Sequence, residues 1–184
     1  MKTEFLTDHE INRRNWQKGA SRMYTLASII SGVLKKIIIR NCGKRDVVRR
    51  KDWLLLALGE RIEPIQLQKT LFKFAQESGA PEKETYTFQP YNWGPCSFKV
   101  YDDLSALREA GLVEFEPSGR GWNAYRVTGR GKEQITKLVH RADPRLLRKL
   151  EEARHYVTTR DFARLLEDVY EQYPEYASQS LFRQ

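Results

Sequence analysis

Cysteine is nearly absent from this 184-residue chain: only Cys42 and Cys96 occur, so no disulfide framework is available. Neither C-x-x-C nor paired Cys/His metal spacing appears, and only three histidines are present, so no metal site or cofactor is expected. Long apolar runs are lacking too. The longest tract, Met23 to Leu34, is interrupted by Thr25, Ser28, Ser31 and Gly32. It is also well short of the roughly 20 residues of a membrane-spanning helix. Glu4, Asp8 and Glu10 precede it and no clean small-residue cleavage site follows, unlike a secretory leader. Internal repeats and low-complexity segments are missing. These absences predict a cytoplasmic protein without a membrane span.

What the chain does have is charge, unevenly placed. The formal net charge is +8, with 40% apolar residues, enough for an ordinary core. Residues 1–51 carry 13 Lys and Arg against 4 Asp and Glu, whereas residues 52–184 carry 19 against 20. The positive excess therefore lies in the N-terminal third. It predicts an acidic partner, with location decided by distribution.

Residues 1–50 read as a basic arm. Met23, Leu26, Ala27, Ile30, Val33, Leu34 and Ile37 recur at helical spacing, predicting an amphipathic helix over 21–38 that serves as a core helix, a dimer or partner face, or a membrane-surface face. The stretch "RNCGKRDVVRRK" after it supplies Arg40, Lys44, Arg45, Arg49 and Arg50, either as a solvated connector or as a phosphate-binding arm.

A second organisation covers 51–142. "KDWLLLAL" predicts a short apolar helix ending at Gly59, and a second helix starts at Pro64, with Leu67, Leu71 and Phe74 inward and Gly79 as its end. "TYTFQPY" alternates as an edge strand tolerant of Pro90. Pro95 is expected to hold Gly94 extended, and Ser97 to cap a helix with Val100, Tyr101, Leu104 and Leu107 on one stripe. Two strands, "LVEFE" and "NAYRVT", flank the loop "PSGRGW", and a helix follows from Thr128. Helix, strand, Gly-rich loop, strand and helix make the pattern of a winged helix. The expected fold class is thus α+β, a winged helix with a small antiparallel sheet, an N-terminal helical arm and a C-terminal helical extension over 143–184. In that extension Asp143-Pro144 reads as cap and first turn, and Thr158 with Asp161 as a capping-box-like signal.

The residues Leu67-Gln68-Lys69 with Leu71, Phe72 and Ala75, then Pro90-Tyr91-Asn92-Trp93-Gly94-Pro95, Tyr101-Asp102-Asp103-Leu104 and Gly111-Leu112-Val113, resemble a prokaryotic group. They are similar to the YwgA-like and Panacea (SocA-like antitoxin) winged-helix proteins, with their "LQKLLF" helix, "YGP" corner and "VYDDL" helix. The similarity spans about residues 52–140, and Tyr170-x-x-Tyr173-Pro174-Glu175-Tyr176 extends it. The resemblance implies a non-enzymatic module in regulation, toxin neutralisation or phage defence. It supplies no catalytic residues, and the basic arm departs from its pattern.

Candidate chemistry is sparse. Cys96, expected at a helix head, reads as an activated thiol or as a small buried hydrophobe, and architecture is the expectation. "GRGK" at 129–132 lacks the glycine and hydroxyl residue of a Walker loop, since Arg126 and Glu133 stand at those positions. Asp102 and Asp103 point about 100° apart on a helix and form no acid/base pair. For nucleic acid, Arg120, Trp122, Arg126, Arg130 and Lys132 form an acid-free wing suited to phosphate contact. The helix behind the Gly-Pro corner, with Lys99, Asp102, Asp103, Ala106 and Glu109 expected outward, is too anionic to enter a major groove and suits a partner protein. Two functions are therefore carried forward, with an enzyme built on a Cys96 nucleophile a distant third. One is nucleic-acid binding through arm and wing. The other is an antitoxin-like module that neutralises a partner toxin, with a homodimer possible in either case.

Overall fold

The structure, a computed structural model, describes residues 48–119 and 121–182. The helix expected over 21–38, the candidate residues Arg40, Lys44, Arg45 and Arg120, and Cys42 lie outside the described residues.

The described chain is α+β. Helix α1 (Arg50–Leu58) leads to strand β1 (Arg61–Ile62) and helix α2 (Pro64–Glu77). A short antiparallel hairpin, β2 (Gln89–Tyr91) and β3 (Gly94–Cys96), turns directly into α3 (Phe98–Glu109). Strands β4 (Val113–Pro117) and β5 (Asn123–Val127) follow, and then helices α4 (Gly129–Arg141), α5 (Pro144–Thr158) and α6 (Phe162–Gln172). A 3₁₀ turn, Pro174–Ala177, leads into the tail. The main sheet is antiparallel in the order β1-β5-β4. None of the described helices is long and apolar enough to cross a membrane.

From Trp53 onward helix α1 is apolar on every side, so that part must be covered on every side. Trp53, Leu54, Leu55, Ala57 and Leu58 are almost fully buried. It is the central rod, touching α2, α3, α4, α5 and β5. Arg61 and Ile62, too few to show a periodicity, form a strand because they pair with Arg126 and Tyr125 of β5. The first turn of α4 packs so close to the Leu112 carbonyl before β4 and to Val127 of β5 that Gly131 has no room for a side chain.

The C-terminal helices share this core. Helix α5 packs along α2. Phe72 of α2 is buried with Leu166, Val169 and Tyr170 of α6. Around its ring stand Phe88, Tyr173 and Tyr176 in edge-to-face contacts with centroids 4.9–5.3 Å away.

Several local expectations are corrected. The edge strand is three residues, not seven, because Tyr86 leaves the sheet and buries its hydroxyl against Asp103 at 2.9 Å. Gly94 is not extended: its φ is +80°, and Gly-Pro-Cys is the returning strand of a hairpin. Ser97 is the N-cap of α3 by position, but its side chain makes no capping bond. Thr158 belongs to α5, where its hydroxyl bonds the Arg154 carbonyl, and Asp161 alone caps α6 through the Arg164 N–H. Asp143 does cap α5, accepting from the Arg145 N–H at 2.8 Å.

Since Phe72 joins the N-terminal helices to the C-terminal pair, Phe72→Ala is expected to cost about 3–5 kcal/mol. Urea unfolding monitored by circular dichroism measures it. A loss below about 1 kcal/mol would show that the C-terminal helices do not depend on this contact.

Candidate functional site

The most elaborated local geometry lies where α2 meets the β2–β3 hairpin. Gln68 and Lys69 are adjacent, fully buried polar residues on α2, and both fasten the same stretch of backbone. The Gln68 side chain accepts from the Ser97 N–H at 3.0 Å and donates to the Ser97 carbonyl at 3.1 Å. Lys69 Nζ donates to the Pro95 carbonyl at 3.0 Å. The amide therefore satisfies the N-cap N–H, as the third residue of a capping box would, and the junction between β3 and α3 is locked to α2 by three bonds.

Two prolines sit opposite each other in the hairpin, Pro90 against Pro95. In a two-residue hairpin the pairs alternate, and the pair flanking the turn, Tyr91 and Gly94, is the hydrogen-bonded one. The prolines thus occupy the next, non-bonded pair, where a missing N–H costs nothing. Gly94 is required twice, by its positive φ and by crowding. A Cβ there would stand 3.0 Å from the Tyr170 ring and 3.5 Å from Lys69 Nζ.

Burial lowers the Lys69 ammonium pKa to about 7, against a small opposing pull from Cys96. Cys96 lies in β3 and not at the helix head, and it is buried. Desolvation pushes its thiol pKa up, more than Lys69 and Tyr101 draw it down. The thiol is thereby held in the protonated form, opposite to what a nucleophile needs.

In front of this clamp stands an aromatic surface. Of the seven large apolar side chains exposed among the described residues, six gather around the hairpin: Tyr91, Trp93, Phe98, Tyr101, Phe162 and Leu181. Tyr91 meets Phe98 edge-on at 5.2 Å, and Phe98 lies 6.4 Å from Tyr101. Across the turn, Trp93 meets Phe162 at 5.5 Å, and Phe162 lies 6.3 Å from Phe182. The Leu181 N–H donates to the Asn92 carbonyl at 2.8 Å, tying the tail to the tip of the hairpin. The Tyr101 hydroxyl turns inward to Gln68 and Cys96.

The sequence-derived candidates fall elsewhere. Asp103, expected to face outward with Lys99, Asp102 and Glu109, is buried; it accepts from Arg50 Nε at 3.2 Å and from Tyr86. Its neighbour Tyr101 takes the exposed position instead. Arg50, assigned to the phosphate-binding arm, is held by that carboxylate and lies 5.0 Å over the Tyr86 ring. Arg49 is exposed as the N-cap of α1. Asp102 and Lys99 pair with each other on the surface at 3.3 Å, and Glu109 is exposed at the end of α3.

The wing residues are free of acids only in sequence. Arg126 lies opposite Glu114 across the β4–β5 pair and bonds Glu116 at 2.7 Å. Arg61 of β1 reaches both Glu63 and Glu116. Trp122 Nε1 donates to Glu63 at 2.7 Å, bracing the loop, and Lys132 is 3.5 Å from Glu60. Arg130 is exposed at the start of α4. The outer face of the sheet is consequently a ladder of opposite charges. Neither the Gln68–Lys69 clamp nor the aromatic gathering was read from the sequence; the signal available was Trp93, Phe98 and Tyr101 clustered within nine residues.

Comparison with protein-family models, curated proteins and solved structures found no match for the chain.

The depressed Lys69 pKa makes a pH prediction. Above pH 7 the folded lysine is neutral while the unfolded one, with its pKa near 10.4, still binds a proton. Stability should therefore rise with pH from about 7, at up to about 1.4 kcal/mol per pH unit. Above about pH 8.5 ionisation of the unfolded Cys96 thiol, whose folded pKa is raised by burial, offsets the rise and flattens it. Denaturant midpoints of wild type and Lys69→Met at pH 7.0 and 8.5 test this, and equal slopes in the two proteins would contradict a buried, neutral Lys69.

Proposed function

We propose that this chain is a non-enzymatic protein-recognition module that binds its partner through the aromatic surface around the β2–β3 hairpin. The observation that carries the reading is the gathering of Tyr91, Trp93, Phe98, Tyr101, Phe162 and Leu181 in water, where a monomer would ordinarily bury or scatter them. Tyrosine and tryptophan are the residues that most often anchor protein interfaces, because each offers a large rigid apolar face with a polar tip. A recess of about 450 Å³ between Tyr170, Glu171 and Phe182 adjoins them. The clamp behind supplies rigidity, so little conformational freedom would be lost on binding.

Order and register support a winged-helix reading of residues 51–142: α3, β4, a Gly-rich loop, β5 and α4 follow as in that architecture. In such a fold the residues shared with the Panacea-like pattern gain a physical reason. Gln68 and Lys69 of the "LQK" segment grip the Gly94-Pro95-Cys96-Ser97 corner. The partner that the resemblance implies is a protein toxin, in a cytoplasmic prokaryotic regulatory or defence setting. Nucleic-acid binding through the wing is less favoured, because Glu63, Glu114 and Glu116 offset Arg61 and Arg126.

Co-expression with each adjacent-gene toxin is the direct test: wild type should restore growth and co-purify with the toxin. Trp93→Ala with Phe98→Ala should abolish rescue, weakening the complex by on the order of 30-fold or more per anchor residue, at unchanged melting temperature. Rescue undiminished by that pair of substitutions would remove the aromatic surface from the interface. Failure of wild type with every neighbouring gene product would remove the toxin.

A further inference from the structure

The positive charge of the described region is segregated as sharply as the aromatic residues are. Residues 129–149 hold seven Lys and Arg against two acids, while the rest of the described residues hold thirteen against eighteen. Those seven cations are Arg130, Lys132, Lys137, Arg141, Arg145, Arg148 and Lys149, all exposed on α4 and the first half of α5.

Their arrangement on α4 is linear. At 100° per residue Arg130, Lys137 and Arg141 fall within about 40° of arc, and at 1.5 Å per residue they span about 16 Å. Opposite that stripe Ile135, Leu138 and Val139 face the core. A groove of about 260 Å³ flanks the first part of the ridge, lined by Leu112, Arg130 and Lys137 among others. A larger cleft of about 770 Å³ opens at its end, where Arg141 meets Arg145, Arg148 and Lys149 of α5. The nearby carboxylates are Glu133, Glu84 in the cleft, Glu60 at Lys132, Asp143 at Arg145 and Glu152 at Lys149. They are fewer than the cations, and such exposed pairs are worth only about 0–1 kcal/mol each, so an incoming anion can displace them.

The tract contains no Phe, Tyr or Trp, and none of the exposed large apolar side chains lies in it. A protein interface would need an apolar core, and a single strand would need aromatic rings on which to stack its bases. What remains is recognition of phosphates spaced along a stiff rod, and a ridge of about 16 Å runs beside roughly five base pairs at about 3.4 Å of rise each.

We propose that the exposed face of α4, continued by the first half of α5, docks on the sugar-phosphate backbone of a nucleic-acid duplex without reading its sequence. This contact is separate from the aromatic surface, so partner protein and duplex would be held by different residues. The acidic remainder of the described region turns the cationic face toward the duplex.

Fluorescence anisotropy of the full chain with a labelled double-stranded DNA oligonucleotide, at salt concentrations from low to physiological, tests it. Wild type should bind with a steep negative dependence of log affinity on log salt. Lys137→Gln with Arg148→Gln should weaken binding roughly tenfold at low salt and reduce the slope by about 2, one for each phosphate no longer neutralised. Arg130→Ala with Lys137→Ala, a second pair at exposed positions, should do the same, and circular dichroism confirms that both variants fold. Trp93→Ala should leave duplex binding unchanged. The proposal is overturned if wild type does not bind at low salt, or if both tract variants bind like wild type. It is equally overturned if binding is lost only when Arg40, Lys44 and Arg45 are replaced by Gln, which would assign the contact to the N-terminal arm.

Discussion

Three hydrogen bonds from two neighbouring side chains govern the arrangement of this molecule. Gln68 holds both backbone groups of Ser97, and Lys69 holds the carbonyl of Pro95. A two-stranded hairpin of three residues a side is marginal by itself in water. Fixed to α2, the same hairpin becomes a rigid platform. Its last residue is followed directly by the N-cap of α3, so the clamp sets the origin of that helix as well. The exposed rings of Tyr91, Phe98 and Tyr101 are consequences of that one placement.

The clamp costs something, and the surroundings show how it is offset. An ammonium ion removed from water is strongly destabilised unless it is paired or neutral. Lys69 has a carbonyl and no carboxylate as its hydrogen-bond acceptor, and its pKa falls to about 7 accordingly. Asp103 solves the same problem differently. Its carboxylate is buried between α1 and α3 but accepts from the Arg50 guanidinium and the Tyr86 hydroxyl, so its charge stays compensated. The two buried polar groups thus fasten opposite sides of the structure. Lys69 ties α2 to the hairpin, and Asp103 ties α3 to α1 and to the segment before β2.

Much of the helical order was legible in the sequence because it rests on local signals. Leu67, Leu71 and Phe74 recur at the spacing of one face, Pro64 and Pro144 stand in first turns, and Asp143 caps as its side chain dictates. Strands β4 and β5 were legible through alternation of Val113 and Phe115 with glutamates. What sequence reading missed depended on distant partners. Asp103 reads as solvent-facing until Arg50, 53 positions away, is brought beside it. Arg126 reads as an unopposed cation until β4 places Glu114 and Glu116 alongside it. Gly-Pro-Cys reads as the end of a strand because proline normally stops one, and only the Pro90–Pro95 register shows why it does not. The aromatic surface was hidden for a related reason: Phe162 and Leu181 are some 70 to 90 positions from the hairpin they join.

The same burial rules divide the remaining surface. Where β4, β5 and β1 expose their outer face, cross-strand pairs such as Glu116 with Arg126 use up the charge, leaving a surface with little long-range field. Along α4, Arg130, Lys132, Lys137 and Arg141 outnumber Glu133, so its exposed stripe projects a positive field into solvent. The hairpin face carries rings in place of charges and acts only at contact distance. A polyanion would therefore be drawn from afar to α4, whereas a protein would be held at short range by the hairpin. Helix α2 touches both β3 of the hairpin and α5, so the two surfaces stand on one common support.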